Sequence, residues 1–512
     1  MTQPRPLGRI VIVGGGTAGW MTAAVLARLV PGGTSVTLVE SDAIGTVGVG
    51  EATLPSLSDL HRLLGIQEDA FIRATGATFK LGIEFAGWGA AGTRYFHPFG
   101  TYGRDAAGLP FHQLWLRKLA QDGPAAAGGI EDYCLSAVAA REGRFTRPAG
   151  EANAVLASLR YAFHLDAGLY AAFLRQYAEG GGVRRVEGRI REVALAPDTG
   201  CIDAVVLDDE RQVAGDFFVD CSGFRSLLLG GALGVPFVSW QHWLPCDRAL
   251  AVPSAVAGAA HPFTRSTTTG AGWRWRIPLQ HRVGNGHVYA SAFTDDGAAA
   301  DALLAGLDSP ATAEPRPIRF TAGVRERLWE RNCVAVGLAG GFLEPLESTG
   351  IHLIQSGITR LMSLLPDSGH DPAGRAQYNR LLREEYEQAR DFVLLHYIAA
   401  GRQDTPFWRH CRATTPPDTL AHAIELWRGR GRVMPPAGHL FTPPSWVAVL
   451  LGQAGPPQSY DLQADLLPAA ELARFLAHLR DVIGRTAAAM PDHGAFIARN
   501  CAAAGAARTI AA

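Results

Sequence analysis

Residues 10–20 read Ile-Val-Ile-Val-Gly-Gly-Gly-Thr-Ala-Gly-Trp, and this stretch decides the fold of the chain. Four β-branched residues in a row predict a short, buried strand, and Gly14, Gly16 and Gly19 then give the spacing G-x-G-x-x-G. Helical spacing follows over residues 21–30. A strand, a glycine turn and a helix in this order are typical of a dinucleotide site, because the turn lets the backbone approach a pyrophosphate. An ordinary glycine-rich turn is the alternative.

A second predicted strand, residues 34–40, ends in an acid. Glu40 lies about twenty residues after Gly19, where a carboxylate accepts a hydrogen bond from a ribose hydroxyl. Thr17 and Ala18 belong to the same turn and are expected to contact the cofactor with the glycines. This context favours a dinucleotide site over an ordinary turn, and it leaves open which dinucleotide is bound.

Composition sets the broad class. The chain has 512 residues, which suggests two to four structural units, and its 47% hydrophobic and 19% charged content is that of a globular protein. A net charge of -1 does not indicate binding to nucleic acid or to an anionic membrane. No apolar run is long enough to span a bilayer.

The ends and the cysteines predict the compartment. The first strand begins within about ten residues of the N-terminus, which leaves no room for a signal peptide. Seven cysteines without a C-x-x-C pair argue against a disulfide framework or a zinc site. We therefore expect a reducing, cytoplasmic protein with no metal site.

A glycine-rich stretch, residues 44–55, follows Glu40. Its glycines disfavour a strand and predict a loop whose backbone comes close to another segment or a ligand. A mobile surface loop is the alternative. Its place just beyond the ribose acid favours a strap over the cofactor, with contacts from Val49, Gly50, Glu51 and Ala52.

Residues 77–86 alternate large apolar and smaller or polar side chains, which predicts a strand. Its second face carries Lys80 beside Gly82, so space is expected in front of the amine. From alternation alone, the favoured interpretation of this lysine is a solvated surface charge. The aromatic run Tyr95–Phe99 either lines a pocket or packs a loop.

The middle of the chain predicts one long helix and a β platform. Residues 154–178 have helical spacing. Trp273–Pro278 alternates tryptophans and isoleucine with arginines, as in a half-buried strand. Neighbouring β-like segments suggest a mainly β platform between about 226 and 320.

The last third is predicted to be mostly helical. Residues 351–365 have helical spacing that places Ser348 or Thr349 near a helix start, a second N-terminus suited to an anion. Further helices are expected around 373–400, 417–429 and 468–488.

Several of these segments together resemble the flavin-dependent tryptophan halogenases. They are residues 14–20, 48–55, 79–82, 220–224, 273–278 and 342–351. The W-x-W-x-I-P pattern of Trp273–Pro278 separates this family from related flavin monooxygenases. The resemblance extends from end to end and is least clear in the last hundred residues or so.

The resemblance implies an α/β fold whose core is FAD-binding, Rossmann-like and of the flavin monooxygenase type. It also implies a β-rich substrate platform and a C-terminal helical region. The expected division is a discontinuous FAD core of 1–90, 155–225 and 325–365, a platform of 91–154 and 226–324, and a substrate-covering region of 366–512.

The implied chemistry begins with reduced FAD from a separate NAD(P)H-dependent flavin reductase. Reaction with O2 gives a flavin hydroperoxide, a bound halide attacks it, and hypohalous acid travels through a tunnel toward Lys80. The lysine holds it by hydrogen bond or as a haloamine, and a small electron-rich aromatic substrate then takes the halogen.

The resemblance also assigns residue roles. It gives Glu347 an assisting role at the substrate ring, Ser348 an orienting role, and the backbone amides of Thr349 and Gly350 the halide. The remaining assignments are His97 and Phe99 in the substrate pocket, with Trp273 and Trp275 as a barrier between substrate and flavin. Simpler roles stay open, because Glu347 is also placed to cap a helix and the tryptophans to fill a core.

The substrate is left open. Family members acting on free tryptophan hold its head group with tyrosines and a glutamate in the C-terminal third, and no matching set occurs in residues 441–461. A simple indole, a peptide-borne tryptophan or another arene suits the sequence at least as well, as does either chloride or bromide. A hydroxylating flavin monooxygenase and a catalytically silent flavin-binding protein are the rival functions.

Overall fold

The structure is a computed structural model, and it describes residues 7–30, 32–44, 50–90, 92–106, 108–151, 154–366 and 371–504. Val49 and the first part of the predicted strap lie outside these described residues. No helix in the described ranges is both long enough and apolar enough to cross a membrane.

The strands in chain order are β1 Arg9–Val13, β2 Ser35–Glu40, β3 Gly50–Ala52, β4 Thr78–Lys80, β5 Gly82–Ala86, β6 Arg94–Pro98, β7 Ala162–Asp166, β8 Arg184–Glu187, β9 Ile190–Leu195, β10 Ile202–Leu207, β11 Gln212–Ala214, β12 Phe217–Asp220, β13 Phe237–Ser239, β14 Arg248–Ser254, β15 Thr264–Thr269, β16 Gly272–Pro278, β17 Val283–Tyr289, β18 Arg316–Arg319, β19 Gly323–Arg325, β20 Trp329–Glu330, β21 Cys333–Ala335 and β22 Gly341–Phe342.

The α-helices are α1 Thr17–Leu29, α2 Leu57–Leu64, α3 Glu68–Thr75, α4 Phe111–Ala127, α5 Leu135–Arg141, α6 Ala167–Gly180, α7 Asp296–Leu304, α8 Gly350–Ser363, α9 Pro372–Ile398, α10 Pro406–Ala413, α11 Asp418–Arg430, α12 Pro443–Val449, α13 Ala469–Ala488 and α14 His493–Asn500. The helices predicted in the last third are therefore present as α8, α9, α11 and α13.

The chain packs as two compact units. The first consists of Met1–Gly76, Leu165–Leu244 and Arg319–Glu387, and the second of Ala77–His164, Pro245–Ile318 and Gln388–Ala512. The three-part division expected from the sequence stays a prediction. Residues 91–154, assigned there to a β-rich platform, contain helices α4 and α5 beside strand β6.

The first unit is built on a six-stranded sheet of order β20-β21-β12-β1-β2-β8. Strand β1 pairs in parallel with both β2 and β12, as the predicted dinucleotide fold requires. Its branched residues Val11 and Val13 join a core with Val39 and Phe218. An α/β fold with a parallel sheet is therefore confirmed.

The second unit contains a seven-stranded sheet of order β18-β14-β17-β16-β15-β5-β6. Strand β16 is the predicted half-buried strand, since Trp273, Trp275 and Ile277 are buried and the two arginines between them are partly exposed. Gly286 on β17 makes room for Trp275, because a Cβ there would lie 2.0 Å from the indole ring.

Two predictions of local structure were only partly right. The helix predicted over 154–178 begins only at Ala167, because residues 162–166 form the buried strand β7. The strand predicted over 77–86 is interrupted at Leu81, whose N–H donates to the carbonyl of Pro262 at 2.7 Å. In both places hydrogen bonds to distant segments override the local periodicity.

Candidate active site

The glycine loop has the conformation that its spacing predicted. Gly14 has φ +109°, and a Cβ there would lie 2.3 Å from the carbonyl oxygen of Cys221. A Cβ on Gly19 would lie 1.8 Å from the carbonyl of Gly14, so close packing of α1 excludes a side chain. Gly16, by contrast, faces open space within 4 Å, just before α1 begins at Thr17. This space in front of a helix N-terminus suits the phosphates of a dinucleotide.

Glu40 ends β2 beside this loop. Its Oε2 lies 1.4 Å from where a Cβ of Gly15 would be, so the carboxylate rests against the glycine loop. Arg185 donates to Glu40 Oε1 at 2.5 Å and Arg175 lies 3.8 Å from the same oxygen. The acid is thus held at the loop by two arginines that the sequence did not single out.

The described part of the strap contributes Gly50, Glu51 and Ala52 as strand β3. Glu51 keeps some exposed area, yet enough protein surrounds its carboxyl that burial raises the pKa to about 7. This acid therefore changes its protonation near neutral pH.

The predicted halide turn also lies in the first unit. Glu347 is buried in a short 3-10 helix, Ser348 has φ +60°, and Thr349 is the N-cap residue of α8. Glu347 lies before that cap and so outside the first turn of α8. The Thr349 side chain makes no capping bond, and its buried Oγ1 has no hydrogen-bond partner among the described atoms. Gly350 is exposed, with open space around its Cβ position.

A polar network that the sequence did not reveal holds the first turn of α8. His352 lies 2.9 Å from the Ser56 hydroxyl through Nδ1 and 2.9 Å from Glu385 Oε1 through Nε2. Ser356 and Arg360 also bond Glu385. Burial alone would raise the pKa of Glu385, but the bond from His352 and the charges of His352 and Arg360 outweigh it and lower that pKa.

Lys80 ends β4 in the second unit and is fully buried. The interpretation as a solvated surface charge is therefore excluded. Its Nζ lies 5.0 Å from the centre of the Phe99 ring, within cation–π range. The room expected at Gly82 is taken by β6, since a Cβ there would meet the His97 carbonyl at 2.3 Å.

One sequence feature that could have singled out Lys80 is its rarity. The chain has 47 lysines and arginines, of which two are lysines, Lys80 and Lys118. Lys118 pairs with Asp122 on helix α4 at 2.7 Å. A chain that otherwise uses arginine keeps a lysine at a buried position, and lysine, unlike arginine, readily loses its proton when buried.

An aromatic cluster adjoins the predicted pocket residues of the second unit. His97 and Phe99 are buried, and the His97 ring lies 5.8 Å from Phe392. Phe392 stacks on Phe441 at 3.8 Å and meets the edge of Trp446 at 5.3 Å. The aromatic run Tyr95–Phe99 is thus part of a strand with its rings packed, and Phe392 was not foreseen.

The remaining predicted residues are placed as follows. Trp273 and Trp275 are buried neighbours on β16 with ring centres 6.1 Å apart. The glycine loop, Glu40 and Glu347–Gly350 belong to the first unit, whereas Lys80, His97, Phe99 and the two tryptophans belong to the second. Within the described ranges, no three His, Cys, Asp or Glu side chains are grouped to hold a metal, and no two cysteines form a disulfide.

The parallel sheet, its glycine loop and the acid at the end of β2 define a dinucleotide-binding α/β protein. The family model described as tryptophan halogenase matches residues 9–469. The chain therefore belongs to the tryptophan halogenase family, whose members are flavin-dependent enzymes.

Individual relatives agree with this membership. The chain is 38% identical over 470 residues to tryptophan 6-halogenase SttH of Streptomyces toxytricini, covering 87% of this chain and 89% of that protein. The structure of Xcc4156, a flavin-dependent halogenase from Xanthomonas campestris, is similar with a TM-score of 0.94 and 50% identity, covering 98% and 99% of the two chains. The structure of BrvH, a flavin-dependent halogenase from Brevundimonas sp. BAL3, is similar with a TM-score of 0.91 and 45% identity, covering 96% of this chain and 99% of that chain.

Proposed function

We propose that this protein uses FADH2, O2 and chloride or bromide to halogenate an electron-rich, indole-type arene. The observation that carries the proposal is the fully buried amine of Lys80 beside Phe99 in an arginine-rich chain of this family. A hydroxylase or a silent flavin-binding protein has no need of such an amine.

FAD fits the residues of the first unit. The open space at Gly16 supports phosphate oxygens at the N-terminus of α1, and Glu40, which Arg185 holds beside the loop, is proposed to accept a hydrogen bond from a ribose hydroxyl. Gly14, Thr17, Ala18, Gly19 and the strap from Val49 to Ala52 complete the proposed cradle. When bound and reduced by a separate flavin reductase, FAD supplies the electrons with which O2 and halide give hypohalous acid.

The halide is proposed to rest at the start of α8. The backbone amides of Thr349 and Gly350 lie at a helix N-terminus, which favours an anion. The buried hydroxyl of Thr349 is a further donor without a partner among the described atoms. Weak discrimination between chloride and bromide is expected from donors of this kind.

Lys80 is proposed to hold the hypohalous acid, either by a hydrogen bond from its amine or as a haloamine. A lysine surrounded by protein loses its proton more readily than an exposed one, which suits the haloamine route. Glu347 is proposed to stabilise the cationic ring and accept its proton, with Ser348 orienting the reactants.

The substrate is proposed to be an indole or an indole-bearing natural product. The aromatic cluster of His97, Phe392, Phe441 and Trp446 includes the partly exposed Trp446, whose flat indole is suited to contact such a ring. The tyrosine pair and glutamate that hold the head group of free tryptophan are missing from residues 441–461. We therefore expect indole to be accepted at least as well as tryptophan.

The test supplies the protein with FAD, a flavin reductase, NADH, O2 and chloride or bromide, together with an arene panel. Mass spectrometry then searches for halogen isotope patterns. We expect halogenated indole from the wild type and none from Lys80→Met. Glu347→Gln should form halogenated indole at a lower but measurable level. Flavin binding should be unchanged in both variants.

Lys118→Met is the matched control, because it removes the chain's other lysine. It should halogenate like the wild type. Hydroxylated products alone across the panel would refute halogenation, and a fully active Lys80→Met variant would remove Lys80 from its role.

A further inference from the structure

Strand β4, which ends in Lys80, is only three residues long and pairs with β7. Lys80 lies opposite Ala162 and Thr78 lies opposite His164. Residues two apart on a strand share a face, so the side chains of Thr78, Lys80 and His164 lie on one side of this pair. A strand this short needs further anchors to hold its last residue in one place.

One anchor is the hydroxyl of Thr78. It donates to the carbonyl of Pro278 at 2.7 Å and lies 3.0 Å from His164 Nδ1. A hydroxyl has one proton to donate, and Thr78 donates it in the hydrogen bond to the Pro278 carbonyl. The second bond therefore requires that His164 Nδ1 carry a proton and donate it. His164 Nε2 then accepts from the hydroxyl of Thr264 at 2.9 Å.

The other anchor is His493 in helix α14. Its Nε2 accepts from the backbone N–H of Phe79 at 3.2 Å, and its Nδ1 lies 2.7 Å from the carbonyl of Ala260. An amide only donates and a carbonyl only accepts, so this imidazole must be neutral with its proton on Nδ1. A residue more than four hundred positions along the chain thus takes the hydrogen bond that a further strand would otherwise make.

Both rings are buried, and burial opposes a positive charge on each of them. Burial lowers the pKa of His164 well below its usual value, and the charges of Lys80 and Arg276 and the His493 ring act in the same direction. Burial lowers the pKa of His493 to about 4, against opposing effects of the Ala260 carbonyl and Asp492. Neutral imidazoles match the hydrogen bonds above.

We propose that Thr78, His164 and His493 are positioning residues that hold β4 and so fix the amine of Lys80 for halogen transfer. The two neutral imidazoles do this without placing a positive charge beside the lysine amine. The inference rests on the proposed role of Lys80, because positioning matters for the reaction only if that amine carries the halogen.

Paired variants test the proposal. Thr78→Val removes its hydrogen bonds while keeping the side-chain volume, and His493→Phe removes its hydrogen bonds while keeping a planar aromatic ring. They should lower the halogenated product formed per O2 consumed about tenfold, since one such bond corresponds to about that factor. FAD affinity and the rate of flavin reoxidation should not change. Thr78→Ser and His493→Gln keep the polar groups and should restore the yield.

Thr264→Val is the control, because the Thr264 hydroxyl bonds the far nitrogen of His164, Nε2, and its loss should keep most of the yield. Hydrogen exchange provides a readout without FAD or substrate. The Phe79 amide should exchange about tenfold faster in His493→Phe than in the wild type, and no faster in Thr264→Val.

The outcomes separate the inference from the proposed function. The positioning role would be overturned if Thr78→Val and His493→Phe formed as much halogenated product per O2 as the wild type and if their Phe79 amides exchanged at the wild-type rate. This would hold even with Lys80→Met inactive. Halogenation by Lys80→Met would instead overturn the role of the lysine. Nitrogen NMR of the wild type needs no variant: both rings should be neutral with Nδ1 protonated at pH 7, and an imidazolium at either would refute the proposal.

Discussion

The carboxylate of Glu40 occupies the place where Gly15 would carry a side chain, with Oε2 1.4 Å from the ideal Cβ position. Arg185 holds that carboxylate from its other oxygen at 2.5 Å. The middle glycine of the loop, which is not one of the three in the G-x-G-x-x-G pattern, is therefore required by the acid that follows the second strand. Gly16, one residue later, has open space instead.

This difference predicts distinct effects for two neighbouring substitutions, one on stability and the other on FAD affinity. Gly15→Ala forces Glu40 from its place and should destabilise the protein without FAD by about 1–3 kcal/mol, as other substitutions that overpack a site do. Gly16→Ala meets no protein atom and should cost less than 1 kcal/mol, roughly the difference between glycine and alanine at a helix start. Its effect should fall on FAD affinity, about tenfold or more.

Thermal unfolding without FAD and flavin titration separate these two effects. Equal destabilisation by both substitutions would contradict the geometry of the loop. Unchanged FAD affinity in Gly16→Ala would contradict the proposed phosphate position.

Thr349→Val should weaken halide use without destabilising the protein. The Thr349 Oγ1 is buried without a described partner, and burying such a hydroxyl costs about 1–3 kcal/mol, so its loss should leave stability unchanged or raise it. If the hydroxyl donates to the halide, the KM for chloride should rise several-fold. Initial rates over a chloride series measure this.

Thr359→Val is the matched control on the same helix, because the Thr359 hydroxyl bonds the Gln355 carbonyl. It should leave the chloride KM unchanged. A wild-type KM in Thr349→Val would leave the halide to the backbone amides alone.

Glu51→Gln should stabilise the protein more at pH 8 than at pH 5. The pKa of Glu51 is about 7 when folded and 4.5 ordinarily, so the unfolded chain releases its proton first as pH rises. Stability is therefore lost between those values, and glutamine removes that loss. We expect a gain of about 1–2 kcal/mol at pH 8, since one pKa unit is about 1.4 kcal/mol and partial exposure reduces the effect.

Denaturant unfolding at the two pH values measures this gain. Glu210→Gln, at an exposed carboxylate of the same unit, should show no pH-dependent difference from the wild type. An equal gain for Glu51→Gln at pH 5 and pH 8 would contradict the raised pKa.

Phe441→Leu should raise the KM for indole more than it lowers kcat. The Phe441 ring stacks on Phe392 at 3.8 Å, and Phe392 in turn meets His97. Leucine removes the flat surface and should cost about 1 kcal/mol of stability. Phe407→Leu, at a buried ring that packs on Trp408, should cost as much stability with an unchanged KM. A similar KM for indole in both variants would show that the aromatic cluster does not bind the substrate.

Much of the first unit was predictable because its signals are local. The strand, glycine loop and helix of residues 10–30 lie next to each other in the chain, so spacing alone predicts their order and the close approaches at Gly14 and Gly19. The half-buried strand Trp273–Pro278 and the helices of the last third were predicted for the same reason.

The surroundings of Lys80 were not predictable in this way. Alternation shows two faces of a strand, but it cannot show that both faces are covered by other segments. The break at Leu81 depends on Pro262, and the anchor of Phe79 on His493. No local pattern links such distant partners.

The sequence by itself thus determined the dinucleotide fold and the two family motifs that contain Lys80 and Glu347, since the residues of each motif are contiguous in the chain. Only the tertiary structure decided that Lys80 is fully buried, that Arg185 holds Glu40, and that two neutral histidines anchor β4. Burial and hydrogen-bond partners depend on which distant segments the folded chain brings together, and that information is absent from local spacing.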